Sequence, residues 1–184
     1  MLLPITVYGN PILRKKAREI GPDYDGLKEL IENMYETMYK ADGVGLAAPQ
    51  INKSIRLIVF DASPFEEDEP ELKGFRKVLI NPEIIEFAGE EETFNEGCLS
   101  LPGIREDVIR PGKIKIRYHD EDFKEHIDEW EGVRARIVQH EYDHLEGKLF
   151  VDKISPIRRR LLTSKLTAIS KGKTQPEYRI IPNK

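Results

Sequence analysis

The chain has 184 residues, 39% of them apolar and 34% charged, and a net charge of −4 at neutral pH. That length suits one domain with a real core, no apolar run approaches the roughly 18 residues of a membrane span, and a single cysteine, Cys98, excludes an intramolecular disulfide. Charge is uneven: residues 148–184 hold ten Lys and Arg against two acids, a net of +8, which leaves −12 on residues 1–147.

The first residues show no basic stretch, long apolar stretch or small-residue cleavage site, so a cytoplasmic location without membrane association is expected. Residues 24–41 place Leu27, Leu30, Ile31, Met34 and Met38 three or four apart, with acids early and Lys40 late, which predicts an amphipathic helix stopped at Gly43. Short β-rich runs follow at residues 56–61, 77–80, 83–87 and 112–118. In the last, Ile114, Ile116 and Tyr118 alternate with Lys113, Lys115 and Arg117, as in a strand buried on one face. The acidic stretch from Ser63 to Gly74 contains Pro64 and Pro70 and reads as a surface loop that adds nothing to the core.

Residues 131–145 return to helical spacing, with Val133, Ile137, Val138, Tyr142 and Leu145 apolar and Gly147 just past the end. A further helix is predicted from Pro156 to about Ser170, then a breaker-rich linker, then a short terminal strand over residues 178–181. Strands separated from two or three helices predict an α+β fold rather than a doubly wound sheet. Residues 1–150 are expected to form a single catalytic domain, with the basic helix and tail of residues 151–184 part of it.

The sharpest local signal is His140-Glu141-Tyr142-Asp143-His144. Four residues along a helix are about 40° past one full turn, so both imidazoles project from one face and can close on one ion. Glu141 sits about 100° around from His140, near enough to serve a water on the metal without occupying it. The familiar peptidase versions of this pattern find a third ligand downstream, where this chain has Phe150 at the metzincin histidine position and only Glu177 after Glu146. Upstream, Cys98 stands beside Gly97. By itself it reads as a small buried hydrophobe or as a thiolate. As a ligand it would complete a set of three with an open fourth position, the arrangement of a catalytic site.

Three segments in this order resemble the peptide deformylase family: Gly43-Val44-Gly45-Leu46-Ala47-Ala48-Pro49-Gln50, Glu96-Gly97-Cys98-Leu99-Ser100, and Gln139 to Leu145. The resemblance covers roughly residues 4–165. It implies antiparallel or mixed sheets packed around a central metal-binding helix, with Cys98, His140 and His144 as metal ligands and Glu141 as general acid/base. It assigns the Gln50 side chain and the Leu99 backbone N–H to the formyl oxygen, and the backbone of Val44 and Gly45 to strand-like pairing with the peptide. The implied substrates are N-formylmethionyl nascent peptides, whose formyl group leaves as formate after attack by metal-activated water. Val44, Val133, Ile137 and the His140 ring are the expected lining of an apolar methionine pocket. Arg105 is a candidate for substrate contact or structural pairing.

The implied ion is one divalent metal, Fe2+ in the cell, with Zn2+, Ni2+ or Co2+ able to replace it. The basic C-terminal segment suggests contact with the ribosome. Arg134 and Arg136 stand where many relatives are apolar and are expected to reach solvent. Asp42 replaces a frequent glutamate, and His119 and His126 are expected to be ordinary surface residues. A zinc endopeptidase and a non-catalytic metal-binding module are the competing readings. Formate release from formyl-Met-Ala-Ser against casein cleavage separates all three.

Overall fold

The structure, a computed structural model, describes residues 1–183. Its organising element is a five-stranded antiparallel sheet in chain order: β2 (Gly45–Ala47), β3 (Leu57–Asp61), β4 (Arg76–Gly97), β5 (Arg105–His119) and β6 (Glu125–Glu131). β3 is the continuous apolar run that a strand buried on both faces requires. Its side chains alternate: Leu57 and Val59 join a core under the first helix, Ile58 and Phe60 a second core under the metal helix.

The first helix, α1 (Leu27–Lys40), buries Leu30, Ile31, Met34 and Met38 as its spacing predicts. It ends one residue earlier than Gly43 suggests. Asp42 takes the left-handed conformation at φ 57°, which a short polar side chain tolerates, and the Gly43 N–H returns to the Met38 carbonyl.

β4 is one strand of 22 residues, not two short runs. Residues 88–97 are largely exposed and include four glutamates, and pairing with β5 from Glu91↔Pro111 to Gly97↔Arg105 makes that part a strand. Three register shifts, at Ile80/Glu83, Ile84/Glu86 and Ala88/Glu91, are where the long strand departs from regular pairing. The charged edge strand β6 also lies outside the runs that composition marks. Only Trp130 of its residues is buried, and the charges suit an unpaired edge.

The acidic stretch corrects its expected role. Leu72 is fully buried in the second core, Phe65 packs against that core, and Glu69 accepts a hydrogen bond from the Val133 N–H at 3.3 Å. That carboxylate serves an otherwise uncapped N-terminus, that of α2 (Gly132–Leu145).

The expected C-terminal helix is two: α3 (Pro156–Leu161), capped by the Ser155 hydroxyl, and α4 (Thr163–Ser170). The break at Leu162 lets Leu162, Leu166 and Ile169 enter a third core with Val7, Leu101 and Phe150. A two-stranded parallel sheet joins β1 (Ile5–Thr6) to β7 (Ile180–Ile181). Among the described residues no helix is long and apolar enough to cross a membrane.

Candidate metal centre and cleft

α2 lies against β2, β3 and β5 and carries His140, Glu141 and His144 on its inner side. Cys98 follows directly on β4. The Cys98 sulfur and one ring nitrogen from each histidine all lie within 4.8 Å of one another, with Cys98 Sγ 3.4 Å from His144 Nε2. The chain thus brings a soft sulfur ligand together with two imidazoles, the first of them 42 residues further along the sequence, a set suited to a first-row transition metal. His144 Nδ1 and Glu141 Oε2 are buried with no protein partner.

His140 is oriented from behind. Its Nδ1 lies 2.8 Å from Glu96 Oε1, so Nδ1 carries the proton and Nε2 is left for an ion. Glu96 is 4% exposed. It also accepts from Arg110 Nε and Nη2 at 2.7 and 3.0 Å and from Arg136 Nη1 at 2.7 Å. Burial by itself pushes this carboxyl up, but the hydrogen bonds and charges of His140 and Arg110 outweigh it and hold Glu96 well below the usual carboxylate range. Arg110 reaches on to Asp143 at 2.7 Å. Arg136 is therefore buried rather than solvent-directed, because β4 and β5 place Glu96 and two carbonyls, of Val108 and Glu92, where its guanidinium ends. Arg134 is half-buried, with its guanidinium carbon 5.1 Å over the Phe75 ring.

Glu141 faces the same space. Burial pushes its carboxyl up to about 7. It lies so close to β2 that a Cβ on Gly45 would stand 2.6 Å from Glu141 Oε1, so a side chain at position 45 would displace Glu141. On the other side, Gln50 accepts from the Ala47 N–H through Oε1 at 2.9 Å, and its Nε2 donates to Ser100 Oγ at 3.2 Å and reaches Cys98 Sγ at 3.5 Å. The amide is thereby turned with its donor toward the thiol.

These groups open on a cavity of about 890 Å³. Val44, Gly45, Gln50, Cys98, Leu99, Arg105, Ile137, His140 and Glu141 line it, and His144 lies just beneath, 1% exposed. Val133 is not on this lining, contrary to its expected place in the methionine pocket, and packs half-buried against the second core. Arg105 stands at the exposed rim, bonded to Asn95 through Nε and Nη2. Asp42 also borders the cavity. His126 pairs with Asp120 at 2.7 Å away from the cleft, and His119 keeps a buried, unpartnered Nδ1.

The sequence by itself assigns no role to Glu96 and its partner Arg110, nor to Phe65, Thr174, Gln175, Pro176 and Tyr178 on the cavity lining. Glu96 alone carried a signal, as a carboxylate two residues before the cysteine. The others arrive through strand register and chain return.

Comparison with known proteins gives a consistent result. The profile of the family described as "Polypeptide deformylase" matches residues 2–160. A peptide deformylase of Flavobacterium johnsoniae is 52% identical over 187 residues, covering 98% of this chain and 95% of that protein. One of Christiangramia forsetii is 52% identical, covering 100% and 97%. A crystal structure of a peptide deformylase from Legionella pneumophila superposes with a TM-score of 0.81 at 39% identity, covering 94% of this chain and 98% of that one.

Proposed function

The chain belongs to the polypeptide deformylase family, and from that membership we propose how its residues divide the reaction. The activity is metal-dependent removal of the N-formyl group from nascent peptides. The observation that carries the assignment of roles is the convergence of Cys98, His140 and His144 within 4.8 Å, with Glu141 turned into the same cavity. These three side chains would hold the ion. When bound, the cation supplies Lewis-acid activation of water and offsets negative charge at the formyl oxygen.

Glu141 takes the proton of the attacking water and returns it to the departing amine. Its buried, unpartnered Oε2 and its place on the cavity lining support that role. Gln50 Nε2 and the Leu99 N–H donate to the formyl oxygen as charge develops there. The Val44 and Gly45 backbone pairs with the peptide as an added strand, so side chains beyond methionine are read little. Val44 and Ile137, with the His140 ring, take the methionine side chain. Arg105, whose Nη1 is not used by Asn95, contacts the substrate from the rim.

Thiolate with two imidazoles suits iron, zinc, nickel and cobalt alike. Ferrous iron is the proposed ion in the cell, and activity lost in air but kept with nickel or cobalt is the expected behaviour. The basic segment that follows residue 150 belongs to the same domain as residues 1–150, a reading supported by the pairing of β7 with β1. The enzyme is proposed to work in the cytoplasm, where its substrates emerge. Ribosome contact through the basic segment is supported by the exposure of Arg160, Lys165, Lys171 and Lys173, while Arg159 is tied to Asp152 and Arg158 to Glu106. Charge reversal at Arg160, Lys165, Lys171 and Lys173 tests it without removing the core residues Leu162 and Leu166, and salt-sensitive cosedimentation that survives the reversal refutes it.

Formate release from formyl-Met-Ala-Ser is the test of the whole reading. Glu141→Ala should abolish turnover and keep the metal. Casein cleavage by the wild type would favour a peptidase instead, and neither activity would leave a metal-binding module.

A further inference from the structure

The chain's end returns to the reaction site from beyond the part matched by the family profile, which stops at residue 160. β7 is held on β1 by the Ile5 N–H to the Arg179 carbonyl at 2.8 Å and the Val7 N–H to the Ile181 carbonyl at 3.1 Å. That anchor lays Thr174, Gln175, Pro176 and Tyr178 along the cavity wall. Tyr178 packs beside Leu99 on the first core, and its hydroxyl donates to the Leu99 carbonyl at 2.7 Å.

Leu99 sits in a turn after β4, outside any strand or helix. The turn's own hydrogen bond runs from the Leu101 N–H to the Cys98 carbonyl at 2.9 Å. Two other contacts grip its surroundings: the Tyr8 N–H on the Ser100 carbonyl at 2.9 Å, and the Leu99 side chain against Gly43, where a Cβ would meet Leu99 Cδ1 at 2.8 Å. Neither touches a polar atom of Leu99. The Tyr178 hydroxyl does, and it is carried on a rigid, partly buried ring packed against the first core. The Leu99 N–H lies in the peptide plane of the Cys98 carbonyl, which the turn bond holds, and the Leu99 carbonyl lies in the next plane. Anchoring that second plane as well leaves the two soft dihedrals between them, φ and ψ of Leu99, little freedom, and so restrains the N–H. A donor aimed before the reaction costs no reorganisation when charge develops.

We propose that Tyr178 is a positioning residue for deformylation, holding the Leu99 carbonyl so that the Leu99 N–H points at the formyl oxygen. This rests on the assignment of the Leu99 N–H as an oxyanion donor. A misaimed donor loses part of what a deleted donor loses, and deletion lowers kcat by about 100- to 1,000-fold.

The experiment compares wild type, Tyr178→Phe, and enzyme in which Leu99 is replaced by its α-hydroxy acid, so that an ester oxygen stands for the N–H. All are full-length, nickel-loaded and assayed on formyl-Met-Ala-Ser. Tyr178→Phe should lower kcat about tenfold at nearly unchanged KM, with metal stoichiometry kept and the melting temperature shifted by no more than about 4 °C. The ester variant should lose about 100-fold. Two results overturn the proposal while leaving the donor intact: kcat of Tyr178→Phe within about twofold of wild type, or a loss matched by equal loss of bound nickel. An ester variant with full kcat would instead remove the donor assignment, and the proposal with it.

Discussion

Replacing Glu96 by glutamine keeps the side chain's shape and removes its charge from among three donors, the His140 Nδ1–H and the guanidinium groups of Arg110 and Arg136. Removing one partner of a buried ion pair costs about 3–5 kcal/mol, because the other charge stays buried. Here Arg110 keeps Asp143 at 2.7 Å, and Arg136 keeps the carbonyls of Val108 and Glu92 at 3.0 and 2.7 Å. The lower end, about 3 kcal/mol, therefore applies. For a domain of this size each kcal/mol moves the melting temperature by about 2–4 °C, so a fall of about 6–12 °C is expected. The same substitution puts an amide N–H toward a donor at one of these sites and loosens His140, which should weaken zinc binding about 10- to 100-fold. Calorimetry on chelator-treated protein at pH 7 reads the first effect without metal linkage, and competition with a chromophoric chelator reads the second. Because Glu96 titrates below its ordinary 4.5 when folded, its contribution is complete above that value and is withdrawn as pH falls toward the folded pKa. The gap between wild type and variant should accordingly close in acid. Metal-free melting within about 2 °C of wild type, with zinc affinity within about threefold, would refute the reasoning.

Gly45→Ala sets a Cβ 2.6 Å from Glu141 Oε1, so Glu141 must move. Steady-state formate release should fall by about 100-fold while metal content holds. Cys98→Ser exchanges a soft ligand for a harder one, and elemental analysis after dialysis should find well under one ion per chain; full retention of zinc would remove Cys98 from the ligand set. Burial raises the Asp152 carboxyl, but hydrogen bonds from Arg14, the Leu149 N–H and Arg159 prevail and lower it from 3.8 to about 2. Its stabilisation is thus present above pH 3.8 and lost as pH falls through about 2. In thermal melts, Asp152→Asn should be less stable than wild type at pH 6 and indistinguishable from it near pH 2, and a gap that persists there would contradict the pairing.

How much could be read without coordinates depends on the distance over which each feature is decided. The faces of α1 and α2 were legible because helical spacing is local: His140 and His144 share a side by the geometry of a single turn. Cys98 entered through a short motif and by the absence of a downstream ligand. Charged stretches misled in both directions. Residues 88–97 and β6 form strands because β5 pairs with them, and composition does not show a partner. Arg136 lies inside because Glu96 lies inside, and neither residue reveals that alone. The split at Leu162 follows from the third core, which draws Leu162, Leu166 and Ile169 together.

From its order of residues alone this protein determined an α+β chain, a helix bearing two imidazoles and a carboxylate, and a thiol upstream, since such features depend on neighbours within a few positions. Tertiary structure decided that the acidic stretch caps the metal helix through Glu69, that Glu96 orients His140 between two arginines, and that Tyr178 meets Leu99. Each of those contacts joins segments far apart in the chain. Their meeting is set by strand register and by which apolar faces bury together, and no local pattern encodes that choice.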